Sequence, residues 1–274
     1  MSELQIIGLT DSGRMRDQNE DHIAIAAEAG LVVVADGMGG HRAGEVASRL
    51  AVETVVRHIV MALTEATGSG SGAIEVAAMR DAIQQANQAI HNQARASPEQ
   101  EGMGSTIVVA LFYGDKLCVG HVGDSRLYRY RDTILEQVTE DHSVVQELVS
   151  RGLVTAEEAR VSISKNLVTR ALGIDPAVEA DISEHDVYDD DVYLLCSDGI
   201  NDVLADGDIE LMLTEHGRNL DTTAKALVDT ANVRGGPDNI SVIMVRVRGG
   251  FERNPEELQK LRERLLTNAP VTGT

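Results

Sequence analysis

Four aspartates stand where strongly apolar runs meet glycine. Leu31-Val32-Val33-Val34-Ala35 leads into Asp36-Gly37-Met38-Gly39-Gly40-His41, and Val119-Gly120-His121-Val122 leads into Gly123-Asp124-Ser125-Arg126. Tyr193-Leu194-Leu195-Cys196 leads into Ser197-Asp198-Gly199, and Gly235-Gly236-Pro237-Asp238-Asn239 precedes the run Ile240–Val247. One Asp-Gly at a strand end closes an ordinary turn. Four of them, each against an apolar strand, can converge, and converged carboxylates repel one another unless cations lie between them. An all-oxygen set of this kind suits Mg²⁺ or Mn²⁺. The adjoining glycines let the backbone approach closely and offer a carbonyl as a ligand. Near the N-terminus, Gly13-Arg14-Met15-Arg16-Asp17-Gln18-Asn19-Glu20-Asp21 adds Arg16 and the acids Glu20 and Asp21. On composition alone that stretch reads equally well as a solvated charged turn.

The elements that must position these groups alternate between short strands and longer helices. Strands are expected at Leu4–Thr10, His22–Ala27, Leu31–Ala35, Thr106–Tyr113, Lys116–Val122, Ser125–Tyr130, Ile134–Gln137, Val192–Cys196 and Ile240–Val247, each rich in Val, Ile, Leu or Tyr. Several follow one another too closely for a crossover helix, and Phe112-Tyr113-Gly114-Asp115-Lys116 reads as a hairpin turn. The sheets are therefore expected to be largely antiparallel. Helical spacing links Val52, Val55, Val56, Ile59 and Leu63, then Val76, Met79, Ile83, Ala86 and Ile90, then Leu220, Ala224, Leu227, Val228 and Ala231. Thr67–Gly72 is a flexible loop between the first two. Ser143–Ala171 is polar and helical in pattern, and reads as a mobile surface insertion. Asn254-Pro255-Glu256-Glu257 starts a further helix, with a cap, a first-turn proline and acids at the positive dipole end. Its stripe Leu258, Leu261 and Leu265 either packs back on the domain or meets a partner.

Bulk properties narrow the function classes. The chain has 274 residues, 43% of them hydrophobic, with no Trp and two Phe, so a sizeable core is built from aliphatic side chains. The 44 acidic residues outnumber the 24 basic ones and give a net charge of −20, which argues against nucleic acid or an anionic membrane as partner. The same field repels a phosphate, so a phosphate substrate needs a local cluster of cations, and bound metal ions supply one. Cys118 and Cys196 sit inside apolar runs and read as buried strand thiols. No cysteine–histidine zinc spacing appears, no signal peptide, and no apolar stretch long enough to span a membrane. A cytoplasmic location is the default.

Taken in order, the motifs form a set. They are Arg16-x-x-Asn19-x-Asp21, Ala35–His41, Gly102-Met103-Gly104-Ser105-Thr106, His121–Arg126, Asp141-His142-Ser143, Cys196–Gly199 and Gly236-Pro237-Asp238-Asn239-Ile240-Ser241. The chain resembles the metal-dependent PPM (PP2C-type) serine/threonine phosphatases, most nearly their compact bacterial form, over about residues 4–247. The resemblance implies an α+β fold of four layers, α-β-β-α, with two central antiparallel sheets flanked by helices. It implies a catalytic domain at 1–249 with a flap at about 143–171, which leaves the amphipathic helix and a frayed tail read from the residues at 250–274.

It also implies roles. Asp36 would bridge two Mn²⁺ or Mg²⁺ ions, with the Gly37 carbonyl on the second. Asp198 and Asp238 would complete the first ion's set, and Glu20 and Asp21 would hold the second, largely through its water shell. Asp124, with Asp198, would bind the weaker third ion of bacterial relatives. Arg16 would clamp the substrate phosphate, a task its planar fork suits better than lysine. Water bridging two such ions becomes hydroxide near neutral pH and attacks phosphorus in line, opposite the serine or threonine oxygen. No phosphoenzyme is needed and no cysteine nucleophile motif is present. Many eukaryotic members place a histidine directly after the Asp-Gly, as leaving-group acid. Here that residue is Met38, so the task falls to His41 or to a metal-bound water. His121 and His142 are expected to be structural. A regulatory module that had lost activity would usually lack one of the metal aspartates, and all are present. Phosphoproteins are the implied partners, with a cognate Ser/Thr kinase and its substrates behind them, and a monomer is the family default.

Overall fold

The computed structural model describes residues 3–40, 42–66, 72–155, 158, 167–216 and 219–267. In chain order its elements begin with β1 (Glu3–Asp11), β2 (Asp21–Ala26) and β3 (Leu31–Met38), then α1 (Ala43–Glu65) and α2 (Ala73–Ala96). Next come β4 (Gly104–Ser105), β5 (Ile107–Tyr113), β6 (Lys116–Val122), β7 (Arg126–Arg131), β8 (Ile134–Gln137) and α3 (Val144–Ser150). The last part contains β9 (Asp181–Asp186), β10 (Val192–Cys196), α4 (Asp198–Asn201), α5 (Asp206–His216), α6 (Leu220–Val233), β11 (Ile240–Arg248) and α7 (Pro255–Leu266).

Two sheets result, ordered β1-β11-β10-β7-β8 and β2-β3-β5-β6-β9, with β4 pairing on β3. The strand pairs in both are antiparallel. Side chains alternate across each strand, and here both faces are covered. Leu31, Val33 and Ala35 pack with α1 and α2. Val32 and Val34 meet Leu195, Ile243 and Val245 of the opposite sheet. That is why β3 reads as an unbroken apolar run. On the far side, α5 and α6 cover the first sheet through Ile209, Leu213, Ala224 and Leu227. The layers are therefore α-β-β-α. Each fully buried Val, Leu or Ile contributes about 1.5–3 kcal/mol. The cores are mostly aliphatic, with one aromatic pair between the sheets, Phe112 edge-on to Tyr193 at 5.5 Å between ring centres.

Leu258, Leu261 and Leu265 of α7 are buried in the same cluster as α1. The tail helix packs back on the domain, and the Asn254 side chain accepts the Glu256 amide at its start. Cys118 and Cys196 are buried and unpaired with each other, and burial pushes both thiols up to about 12.

Four readings of the sequence change. β3 continues to Met38, so Asp36 and Gly37 lie inside a strand and not beyond its end. Asp198 opens the short helix α4. The edge strand β9 and the helix α5 were not expected from the pattern. Asp181-Ile182-Ser183-Glu184-His185-Asp186 is polar at five of its six positions, and α5 buries only Ile209 and Leu213, so neither carries a strong period. The loop Thr67–Gly72 lies outside the described residues except for Gly72, and so do 156, 157 and 159–166 of the insertion.

Candidate metal and phosphate site

Asp21 lies directly opposite Asp36 in the β2–β3 pairing. Opposed residues share a face, and this face is the one on which Val32 and Val34 meet the other sheet. Both carboxylates are thus delivered to one end of the layer between the sheets. The first sheet delivers Asp198, just after β10, and Asp238, just before β11. Asp124 arrives from the β6–β7 turn.

A polar network holds these backbones in place. Thr106 Oγ1 accepts the Asp36 amide at 3.1 Å, and the Thr106 amide and Ser105 hydroxyl donate to the Asp36 carbonyl at 2.8 and 2.9 Å. Ser197 Oγ donates to Asp21 Oδ2 at 2.7 Å and accepts the Ser241 amide at 3.0 Å, stitching the two sheets beside the site. Asn239 ties down the N-terminal stretch. Its Oδ1 accepts the Glu20 amide at 2.8 Å, while its Nδ2 donates to the carbonyls of Ser12 and Gln18 at 3.0 and 2.8 Å. The Gly37 amide donates to the Glu20 carbonyl at 3.1 Å. Arg16 Nη2 donates to Asp238 Oδ2 at 2.7 Å.

The electrostatics are those of crowded anions. Burial first, then repulsion from Asp21, Asp198, Asp124 and Asp238, pushes the Asp36 carboxyl well above the usual carboxylate range. Burial, then Asp124, Asp238, Asp202 and Asp21, does the same to Asp198. Asp21 is raised to about 6 by burial, against the pull of the Ser241 and Ser197 hydrogen bonds. Asp124 is raised to about 6 by burial and by Asp141. Burial raises Glu20 as well, with Arg16 opposing. Glu20 Oε1, Asp21 Oδ1 and Asp198 Oδ1 are buried with no hydrogen-bond partner. Buried anions without partners cost free energy that cations or protons must offset.

This donor set fits hard divalent cations: carboxylate oxygens, with a backbone carbonyl at Gly37 beside them. Among the described residues, however, Asp36, Asp198 and Asp238 do not bring their ligand atoms within a mutual 4.8 Å. The one group of three that does is His121, His142 and Asp181. Asp238 is engaged with Arg16 in this structure.

The structure thus brings Asp21, Asp36, Asp124, Asp198 and Asp238 within one field, with Arg16 and Glu20 at its edge. His41 lies outside the described residues. Sequence reasoning did not single out Asp202, and named Asp141 only within a motif; they add to the field at Asp198 and Asp124. Asp202 was detectable in principle, because it stands four residues after Asp198 and its amide donates to the Asp198 carbonyl at 2.8 Å. Ser197 and Asn239 were present only as letters in motifs. Their hydrogen bonds span 176 and more than 200 positions of sequence, which no local pattern reveals.

Comparison with known proteins gives one consistent answer. A family model described as protein phosphatase 2C matches residues 14–232. The chain is 38% identical over 239 residues to the serine/threonine phosphatase stp of Listeria monocytogenes, covering 86% of this chain and 93% of that one. It is 38% identical over 246 residues to the serine/threonine protein phosphatase PstP of Mycobacterium tuberculosis, where the match covers 89% of this chain and 45% of that longer protein. The crystal structure of the M. tuberculosis phosphatase PstP/Ppp superposes with a TM-score of 0.80 at 36% identity, covering 90% of this chain and all of that one. The catalytic domain of PstP in complex with two manganese ions superposes at 0.78, also at 36% identity, over 90% of this chain and all of that one.

Proposed function

The chain belongs to the protein phosphatase 2C family, and from that premise we propose that it hydrolyses phosphoserine and phosphothreonine in proteins, with its aspartate cluster as the metal centre. The observation that carries this reading is the set of buried carboxylates around Asp36, which raise one another's proton affinity and leave oxygens unpartnered. Asp36, Asp198 and Asp238 would hold a first ion, Asp36 with the Gly37 carbonyl, Glu20 and Asp21 a second, and Asp124 with Asp198 a weaker third. When bound, such ions neutralise the cluster, polarise a phosphoryl group and lower the proton affinity of water. Mn²⁺, the ion in the PstP complex, is the first candidate for this chain.

The chain's own residues supply the rest. Arg16 stands half exposed at the edge of the cluster and presents a fork that matches phosphate oxygens. Its present partner is Asp238, so a phosphate competes with that carboxylate for the guanidinium. The backbones of Asp36 and Glu20 are pinned by Thr106 and Asn239, which keeps the carboxylates from drifting as charge develops on the substrate. Met38 has no proton to give, so leaving-group protonation falls to His41 or to a water held at the metal centre. The catalytic unit is 1–249, with 143–171 as its flap and 250–274 appended. The substrates are phosphoproteins of a Ser/Thr kinase, and the enzyme is a cytoplasmic monomer. Among the described residues no helix is long and apolar enough to cross a membrane.

The test is phosphate release from a phosphothreonine peptide in Mn²⁺, comparing the wild type with Asp36→Asn and Asp198→Ala. Loss of about 10³-fold or more in both variants is expected, since each removes a ligand of the metal centre. Wild-type rates in either variant would sink the assignment.

A further inference from the structure

Among the described residues, one group of three ligand-type side chains draws together outside the aspartate cluster: His121, His142 and Asp181. The two rings are buried and stacked, with centroids 4.5 Å apart. Their hydrogen bonds decide against a metal. His142 Nδ1 accepts the Gly123 amide at 3.1 Å, so the neutral ring carries its proton on Nε2. That atom lies 3.3 Å from Asp181 Oδ2 and has no well-aligned partner. His121 Nε2 is spent on the Glu140 carbonyl at 2.8 Å. A cation placed between the three would face an N–H from His142 where it needs a lone pair.

What the geometry does provide is a grip on one turn. The His142 amide donates to the Gly123 carbonyl at 2.9 Å while its ring accepts the Gly123 amide, so both polar groups of Gly123 end on this residue. Gly123 has φ +106°, and a Cβ there would meet Thr106 at 2.7 Å. The turn is therefore clasped between His142 and Thr106, and Thr106 in turn accepts the Asp36 amide. The next residue along is Asp124. From the other side, the His142 carbonyl accepts the Thr169 amide at 2.7 Å, and the Val144 amide donates to the Leu167 carbonyl at 2.9 Å. Arg170 Nη1 holds the second oxygen of Asp181 at 2.9 Å. His142 is thus the point where both ends of the 143–171 segment, β9 and the Asp124 turn meet.

We propose that His142, whose Nε2 faces the carboxylate of Asp181, is a positioning residue that fixes the Gly123–Asp124 turn and ties its geometry to the base of the 143–171 segment. The role of Asp124 toward a metal rests on the reading given under Proposed function, whereas the grip on Gly123 does not. Removing the ring frees both the Gly123 amide and the aim of Asp124. Removing Asp181 leaves the ring held by Gly123 but takes away the carboxylate beside Nε2 and with it the connection to Arg170.

Three variants test this: His142→Leu, His142→Asn, whose side-chain oxygen takes the place of Nδ1, and Asp181→Ala. The first readout is hydrogen exchange of the Gly123 amide in the metal-free protein. His142→Leu is expected to speed it by about tenfold or more while β10 and β11 stay protected, and His142→Asn to restore most of the protection. The second is calorimetric Mn²⁺ titration. There His142→Leu weakens the weakest site by about 10- to 100-fold, as loss of a residue supporting a ligand does, and Asp181→Ala weakens it less. Exchange that rises equally at Gly123 and in the central strands of His142→Leu would overturn the proposal, and so would His142→Asn behaving like His142→Leu. If the exchange result holds but the Mn²⁺ isotherms of all variants match the wild type, Asp124 is not a metal ligand and the functional reading of that residue fails instead.

Discussion

Burial and four neighbouring carboxylates oppose a charge on Asp36. Without metal at pH 7, a group whose folded pKa is raised destabilises the fold in its ionised form, because the unfolded chain ionises it freely. Substituting Asp36→Asn removes that repulsion. The metal-free variant is therefore expected to melt higher than metal-free wild type, by about 2–4 °C for each kcal/mol relieved, while its phosphatase activity collapses. Thermal melts in chelator, run beside the peptide assay, check both halves. Arg16 makes the complementary case. Arg16→Lys keeps the charge but loses the fork, and a rise in KM of about tenfold for a phosphothreonine peptide is expected, with a smaller change in kcat. His142 titrates in the opposite sense to the aspartates. Burial, then the adjacent His121, lowers it to about 4, against the pull of Asp181. Arg170, Glu140 and Asp141 lie around the same pair of rings. A folded pKa below the unfolded value of about 6.5 means that the unfolded chain binds the proton first. Stability from the neutral ring is thus intact above pH 6.5 and lost as pH falls towards 4. Allowing for solvent screening, the stability of wild type relative to His142→Asn should fall by about 1–2 kcal/mol over that window, as measured by denaturant titration at both ends.

At the scale of elements, the sequence was most legible where burial is two-sided. Leu31–Ala35, Ile107–Tyr113 and Ile240–Val247 are apolar on both faces because helices cover one side and the opposite sheet the other, so their strands stand out. β9 and α5 escaped for the converse reason, since each turns mostly polar residues outward at the rim of its layer. The aspartates that cluster between the sheets were legible through the glycines and apolar runs beside them. The Arg16–Asp238 pair and the Ser197 and Asn239 bridges were not, because they join residues far apart in the chain. Gly199 shows how closely these elements meet. A Cβ there would stand 1.9 Å from the Asn239 carbonyl oxygen, on backbone that cannot move without shifting Asp198 and Asp238. Gly199→Ala should cost about 3 kcal/mol and reduce activity further than its loss of stability explains. The tail helix makes the contrasting prediction. Leu261→Ala empties a fully buried position against α1 and is expected to cost about 2–4 kcal/mol. It leaves kcat at a permissive temperature near wild type, because Leu261 stands in the helix-side core and not in the carboxylate network.

The whole molecule adds a long-range field. With a net charge of −20, the surface repels a phosphorylated peptide before any contact is made. Salt screens that repulsion over about 10 Å at 0.1 M. Raising ionic strength should increase kcat/KM for acidic phosphopeptides and lower it for peptides with basic flanks, a crossover that steady-state kinetics on a matched pair would reveal. Under the proposed function, the carboxylate cluster between the sheets reverses that field locally once it holds cations. Calorimetric titration of Mn²⁺ into the metal-free protein at pH 7 tests that most directly, with Asp36→Asn alongside. Binding of at least two ions with release of protons in the wild type, and loss of that binding in the variant, is the expected result. A wild type that takes up no Mn²⁺, or a variant that binds it equally well, would contradict the assignment of these aspartates as the metal centre.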